Sequence, residues 1–327
     1  MNPIDSTCLA SIYDAEVAEC DHPNIAILLC TMQGKSYLRE QLDSILHQSY
    51  KYWTIWVSDD GSNDGTHQIL ESYQCQIGRE KLSINSGPAE GFATNFLSLT
   101  CNANISADYY AYADQDDIWE KDKLTRAVRW LKTVPAHVPA LYCSRTCNVD
   151  IHNQQIGFSR LFLKPPSFAN ALVQNIGGGN TMVFNETARN LLRAAGFDVA
   201  VVAHDWWAYL VISGCGGRVF YDAQPSVRYR QHGANLIGAN NSFADSLARI
   251  RLLLGGRFKI WNDTNIRALE GIRGRLTSEN RIKLDQYSKA RHSSFFLRLL
   301  LLRQSGVYRQ TLLGNLGFIV AAIFNKI

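Results

Sequence analysis

Four short apolar runs, each closed by a polar cluster and followed by a segment of helical period, organise the first 130 residues. Ile25–Leu29 is apolar at every position, which suits a strand buried on both faces. A polar loop follows, Thr31-Met32-Gln33-Gly34. Then Leu38, Leu42, Ile45 and Leu46 recur at i, i+4, i+7 and i+8, the stripe of an amphipathic helix. Thr54–Val57 predicts a second strand, ending in the turn and cap cluster Ser58-Asp59-Asp60-Gly61-Ser62-Asn63-Asp64-Gly65-Thr66. A helix runs from there to about Tyr73. Lys81–Ile84 reads as a third strand, Phe92–Leu99 as a helix, Tyr109–Ala113 as a fourth strand and Lys121–Leu131 as a helix. This alternation predicts an α/β fold with a Rossmann-like, mostly parallel sheet flanked by helices. Such sheets bind ligands at the carboxyl ends of their strands. The polar loops after Leu29, Val57 and Ala113 are therefore expected to converge on one crevice.

Residues 140–235 read as mixed strands and helices, with a tight turn at Gly177-Gly178-Gly179. From about residue 243 the pattern is helical, basic and amphipathic. The expected organisation is a leader over 1–23, an α/β domain over 24–240 and a basic helical tail over 241–327. Charge sharpens that division. The net charge of +4 over 327 residues hides 18 Lys+Arg against 24 Asp+Glu before residue 245, and 15 against 5 after it. A body at −6 and a tail at +10 suggest a tail that meets something anionic. The tail's apolar stretches, Phe295–Leu302 and Leu312–Phe324, fall short of the ~20 residues that span a bilayer. Arg298, Arg303 and Arg309 punctuate them, the pattern of helices lying on an anionic membrane surface. Packing on the catalytic body or in a dimer is the alternative. The eight cysteines form no C-x-x-C pair, and Cys143 and Cys147 have no nearby His to complete a zinc set. The first 24 residues carry five acids and no Lys or Arg, unlike a signal peptide. Free thiols in a reducing cytoplasm are the simplest account.

The chemistry concentrates in Asp114-Gln115-Asp116-Asp117, directly after the fourth strand. Carboxylates this dense repel one another, and Mg²⁺ or Mn²⁺ relieves the repulsion while substrate phosphates complete the shell. The plainer reading is a helix start near Trp119, capped by Asp116 or Asp117. Asp59-Asp60 could open an Asx-turn, or accept from a base or a ribose hydroxyl. No dinucleotide fingerprint, P-loop, G-x-S-x-G or H-E-x-x-H is present, which argues against hydride transfer, P-loop hydrolysis and serine hydrolysis. In His204-Asp205-Trp206-Trp207 an acid sits beside bulky aromatics. An apolar wall raises a carboxylate's pKa toward the working pH, which suits a general base. Its alternative is a cap on a helix Trp206–Ile212.

Taken in order, these segments resemble family 2 glycosyltransferases of the GT-A fold. The carrying residues are Cys30–Gly34, Tyr37–Ile45, Ser58–Thr66, Asp114–Trp119, His204–Trp207 and Tyr229-Arg230-Gln231-His232-Gly233, collinear over roughly residues 24–235. Within the family the chain is most similar to bacterial rhamnosyltransferases of surface polysaccharide synthesis. The resemblance implies that Asp60 binds the base or ribose, with Thr31, Met32, Asp114, Gln231 and His232 also lining the nucleotide-sugar site. Asp114 and Asp116 would form the metal-binding D-x-D pair, joined by His232. Asp205 would be the general base, and Gly178, Asn180, Trp206 and Trp207 would face the acceptor. The implied partners are dTDP-rhamnose, a lipid-linked oligosaccharide and the inner face of the cell membrane; nucleic acid is not among them. One departure stands out. Where the family often has Tyr-Asn after the first-loop Thr, this chain has Met32-Gln33, so an aromatic that could stack on the base is missing. Two other classes fit the same acids: a metal-dependent phosphotransferase or hydrolase, and a catalytically silent assembly protein that keeps the fold.

Overall fold

A computed structural model describes residues 22–232 and 256–327. Most of the expected leader and the start of the tail at 241 lie outside the described residues. The first half alternates as the pattern predicts: β1 (Ile25–Thr31), α1 (Leu38–Leu46), β2 (Trp53–Asp59), α2 (Thr66–Ile77), β3 (Leu82–Ser86), α3 (Phe92–Cys101) and β4 (Tyr109–Ala113). Strands β3-β2-β1-β4 pair in parallel in that order. β1 is apolar throughout because it is buried on both faces. Ile25, Ile27 and Leu29 enter the core beneath α1 and α2, while Ala26, Leu28 and Cys30 enter the core on the other face with α3.

One expectation is corrected here. No helix begins near Trp119. Ile118–Trp119 is a short strand, β5, and α4 spans Lys123–Leu131 with Asp122 at its N-cap. Asp116 and Asp117 therefore cap nothing. β5 pairs with β9 (Arg218–Arg230), and the Trp119 backbone N–H donates to the Ser44 hydroxyl of α1 (3.0 Å) instead.

The second half completes a nine-stranded sheet of mixed sense. β8 (Val183–Asn185) runs antiparallel between β4 and β6 (Ala140–Val149), and β9 lies parallel to β6. β7 (Gln155–Phe158) folds back on β6 as a hairpin. Three helices flank this half: α5 (Phe168–Ala171), α6 (Glu186–Ala195) and α7 (His204–Gly214).

The tail forms α8 (Arg257–Gly271), α9 (Ser278–Arg291), α10 (Phe295–Ser305) and α11 (Leu312–Ile323). These helices pack on the body: Leu269, Leu284, Tyr287, Leu301 and Phe318 share one apolar core with Phe168, Trp206 and Tyr209. Asn280 donates to the carbonyls of Ser213 (3.1 Å) and Gly214 (3.0 Å), closing the end of α7. Buried Arg298 donates to the Ala322 carbonyl (2.7 Å) at the end of α11, where a cation also suits the helix dipole. Packing on the body is thus realised, yet both final helices keep a second, apolar face in solvent. Among the described residues no helix is long and apolar enough to cross a membrane.

Candidate active site

The loops after β1, β2 and β4 meet, as the strand-end argument requires. Gln115 holds the first loop in place. Its side-chain amide accepts from the Met32 N–H (2.9 Å) and donates to the Met32 carbonyl (2.8 Å), imitating a strand pair. Met32 itself is 57% exposed at the crevice. Thr31, by contrast, is buried and committed inward, its hydroxyl donating to Asp59 (2.6 Å).

The paired acids after β2 divide their work. Asp59 accepts from Thr31, from the Ser62 N–H (2.8 Å) and from the Ser62 hydroxyl (2.6 Å), and lies 3.3 Å from His67. Burial pushes its carboxyl up, but the Ser62 and Thr31 hydrogen bonds outweigh it and hold the group below its usual range. Asp60 is held by a single bond, from the Ala89 N–H (3.1 Å), and burial with the Asp59 charge pushes it up. Only Asp60 keeps hydrogen-bonding capacity for a ligand. The loop after β3 that supplies Ala89 was missed by sequence reasoning. A signal existed in Gly87: a Cβ there would sit 2.1 Å from Asp60 Oδ1, so only glycine lets the loop approach.

Beyond β4, Asp116 pairs with His232 (2.7 Å), whose ring lies 5.1 Å from that of Tyr37. Asp114 is pushed well up by desolvation, then by the charges of Asp116 and Asp205. Asp205 thus lies near enough to Asp114 for its charge to be felt there. Asp117 plays a different part. It is fully buried, accepts from the Asn180 amide and from the Arg230 N–H (3.3 Å), and is raised by burial and by its two acidic neighbours. Beneath it lies Lys123, also fully buried, with its ammonium 3.6 Å from the Trp119 ring centroid. Burial lowers Lys123 to about 7, against the pull of Asp117 and Asp114. Gln231 donates its N–H to the Val149 carbonyl (2.8 Å), which fixes the turn presenting His232.

Asp205 occupies the first turn of α7. Its carboxylate accepts from the Trp206 N–H (2.6 Å) and the Gly179 N–H (3.1 Å), and the nearby Asn175 side chain also favours its charged form. Desolvation exceeds these stabilising bonds and raises it to about 6. Gly179 is required: a Cβ there would lie 2.3 Å from Nε2 of His204, which is pinned by stacking on Phe96 at 3.9 Å. Neighbouring Gly178 is exposed at the same edge.

Three expected acceptor contacts do not hold. Trp207 is fully buried and Trp206 nearly so, with its indole N–H spent on the Ala171 carbonyl (2.7 Å). Both are core, because α7 is enclosed on almost every side. Asn180 is buried too, its amide turned to Asp117. Sequence reasoning also passed over Arg230. Its guanidinium donates to the Asp116 carbonyl (3.1 Å) and the Ile151 carbonyl (3.0 Å), pairs with Glu40 (2.8 Å) and stacks on Tyr37. It ties β9, α1, the acidic loop and the β6–β7 turn into one wall.

Loops at strand ends that carry Asp60, the Asp114–Asp116 pair and the raised-pKa acid Asp205 supply groups able to bind a nucleoside diphosphate and to take a proton. Comparisons with known proteins give the family. A family model described as glycosyl transferase family 2 matches residues 26–191. The chain is 30% identical over 241 residues to the dTDP-rhamnosyl transferase RfbG of Shigella flexneri, covering 69% of this chain and 78% of that protein. A shorter similarity, 30% over 112 residues, covers 33% of this chain and 42% of TuaG of Bacillus subtilis (strain 168), provisionally assigned to teichuronic acid biosynthesis. S. aureus TarS 1–349 in complex with UDP-GlcNAc shares the fold, with a TM-score of 0.54 at 12% identity over 93% of this chain and 89% of that one. On a family model matching half its length and a relative matched over most of both chains, with a GT-A architecture to go with them, the protein belongs to glycosyl transferase family 2.

Proposed function

We propose that the protein transfers L-rhamnose from dTDP-rhamnose to a lipid-linked oligosaccharide, with inversion, in the synthesis of O-antigen or another bacterial surface polysaccharide. The name of RfbG supports the donor, and that of TuaG supports a polysaccharide product. The working place would be the inner face of the cell membrane, supported by the basic tail. The observation that carries the chemistry is Asp205: a carboxylate at the start of α7, raised to about 6 and close enough to Asp114 to raise it in turn.

The donor's nucleoside would be gripped by Asp60, positioned by Ala89 and Gly87. Met32 would pack softly on the base in place of an aromatic. Asp205 would accept the proton of the acceptor hydroxyl, whose oxygen attacks the anomeric carbon as the nucleoside diphosphate leaves on the opposite face. The Gly179 N–H and Asn175 would keep the carboxylate aimed through that step. Asp114, Asp116 and His232 would hold a divalent metal. Their chemistry fits: hard oxygens and an imidazole, and an excess of negative charge that raises Asp114. Among the described residues no group of three His, Cys, Asp or Glu side chains is arranged to hold an ion, so diphosphate oxygens and water would have to complete the shell. When bound, such an ion supplies Lewis-acid stabilisation of the departing diphosphate.

A donor panel with nucleoside diphosphate release as readout tests the reading. Release from dTDP-rhamnose should depend on a sugar acceptor, cease in EDTA and return with Mn²⁺ or Mg²⁺. Release of inorganic phosphate without acceptor would point instead to a phosphotransferase or hydrolase. Full turnover in excess EDTA would remove the metal role.

A further inference from the structure

The least explained surface of the molecule is apolar. Phe296 and Leu300 on α10, and Leu312, Leu313, Leu316 and Phe324 on α11, all point into solvent; Phe296 is 83% and Leu312 82% exposed. So many large apolar side chains left in solvent on two successive helices mark a partner surface. These helices have 11 and 12 residues, far short of a span, so they can only lie along an interface.

The patch has a second contributor. Leu163 is 83% exposed on the loop over residues 159–167, and this loop is clasped to the α10–α11 turn. The Lys164 N–H donates to Gln310 Oε1 (3.1 Å), and Gln310 Nε2 donates to the Lys164 carbonyl (3.1 Å). The Tyr308 hydroxyl adds a bond to the Pro165 carbonyl (2.5 Å). The loop and the helical pair therefore move as one body. The same turn grips the strip leading to the base: the Gln310 N–H donates to Gln174 Oε1 (2.9 Å), and the strip runs on to Gly179, whose N–H donates to Asp205 (3.1 Å).

Charge identifies the partner. Residues 292–327 contain no Asp or Glu. Arg298 is buried and bonded to the Ala322 and Ser293 carbonyls, which leaves Arg303, Arg309 and Lys326 as the cations outside the core. A second copy seated across a twofold axis would set these cations against their own images with no acid in the segment to answer them. An anionic lipid leaflet offers apolar depth for the leucines and headgroup charge for the rim. We propose that α10, α11 and Leu163 form one docking face that lies on an anionic leaflet, and that the strip from Leu163 to Asn175 leads an acceptor from that leaflet to Asp205. This deepens the transfer reading above and rests on it for the acceptor.

Flotation of the full chain with phosphatidylcholine vesicles, with and without phosphatidylglycerol, tests the face. The intact protein should float with the anionic vesicles and be weakened by high salt. The double change Leu312→Asp, Leu316→Asp should lower the bound fraction about tenfold or more, and Leu163→Asp, outside any helix, should lower it by a smaller factor. Both should keep the parent melting temperature and lose turnover on a vesicle-borne acceptor, and the double variant should also keep the parent turnover on a soluble acceptor analogue. Absence of anionic-vesicle binding by the intact chain overturns the proposal. So does a double variant that binds vesicles like the parent, or one whose only effect is to split a dimer in light scattering. Vesicle binding that responds to these changes, without sugar transfer from any donor, supports the docking face while removing the transfer reading.

Discussion

At the scale of single residues, Asp205 is where two effects oppose and burial wins. Raised from 3.8 to about 6, it is protonated in the folded protein at pH values where the unfolded chain has lost that proton. Between about 4 and 6 the folded state binds more protons, so this group makes stability fall as pH rises through that window. The penalty, on the order of 3 kcal/mol, is complete above it. Asp205→Asn removes the titration. Its melting temperature relative to the parent should therefore climb from pH 4 to 7, while turnover drops ~10²–10⁴-fold and donor affinity holds. In the parent, kcat/KM should rise through an apparent pKa near 6 as the carboxylate forms. A variant that loses donor binding and melting temperature together would make Asp205 a structural residue. Across the crevice, Gly87→Ala should act on the donor instead. Its Cβ would displace Asp60, so donor affinity should fall about tenfold or more while kcat at saturation changes little; an unaltered Kd would show that Asp60 does not grip the nucleoside. The pair Asp59-Asp60 also shows where reading a sequence stops. Both acids stood in the right loop, but only the neighbours Thr31 and Ser62, folded around Asp59, reveal which one is spent.

Elements fix what residues can do, and the end of β9 is the clearest case. Arg230 is buried while its partner Glu40 is 48% exposed on the side chain. The ion pair is therefore a surface pair and of little worth, below about 1 kcal/mol. The bonds from the guanidinium to the Asp116 and Ile151 carbonyls are the costly ones to lose. Glu40→Gln should leave the melting temperature nearly unchanged, whereas Arg230→Ala should cost on the order of 3 kcal/mol and disorder the wall behind the metal ligands. Equal losses in thermal melts of the two variants would show that the ion pair, not the carbonyl bonds, holds the wall. Most strands of the first half were legible because they are short apolar runs between punctuating turns, Tyr109–Ala113 to the residue, while β3 mixes Leu82 and Ile84 with Ser and Asn. β6 and β9 were not. β6 carries Ser144, Arg145, Thr146 and Asn148, and β9 is interrupted near Pro225, where the ladder skips from Asp222 to Val227. Polar strands paired across 80 residues leave no period for a local pattern to detect. Nor could periodicity tell that Ile118–Trp119 would pair with β9 rather than open a helix.

For the whole molecule, the question is whether the basic tail is an appendage or part of the body. Its net charge and amphipathic stretches marked it as separate in sequence, and its exposed face agrees. Its buried face does not. Leu301, Leu302 and Phe318 are buried in the same core as Phe168, Trp206 and Tyr209, and each such side chain is worth roughly 1.5–3 kcal/mol. Gln310 and Tyr308 hold the segment that carries Asn170, Gln174 and the approach to Asp205. Deleting residues 293–327 should thus do more than abolish lipid binding. It should uncover the core beside α5 and α7, lower the melting temperature by on the order of 10 °C and promote aggregation. Turnover should fall even on a soluble acceptor, because Asn175 loses its support. Charge substitutions on the outer face, such as Leu312→Asp, should leave all three properties intact. Differential scanning calorimetry and light scattering on the two proteins separate the roles of the two faces. A truncated chain that stays monomeric, melts with the parent and keeps soluble-acceptor turnover would mean that the tail only docks, and that the body closes its own core without it.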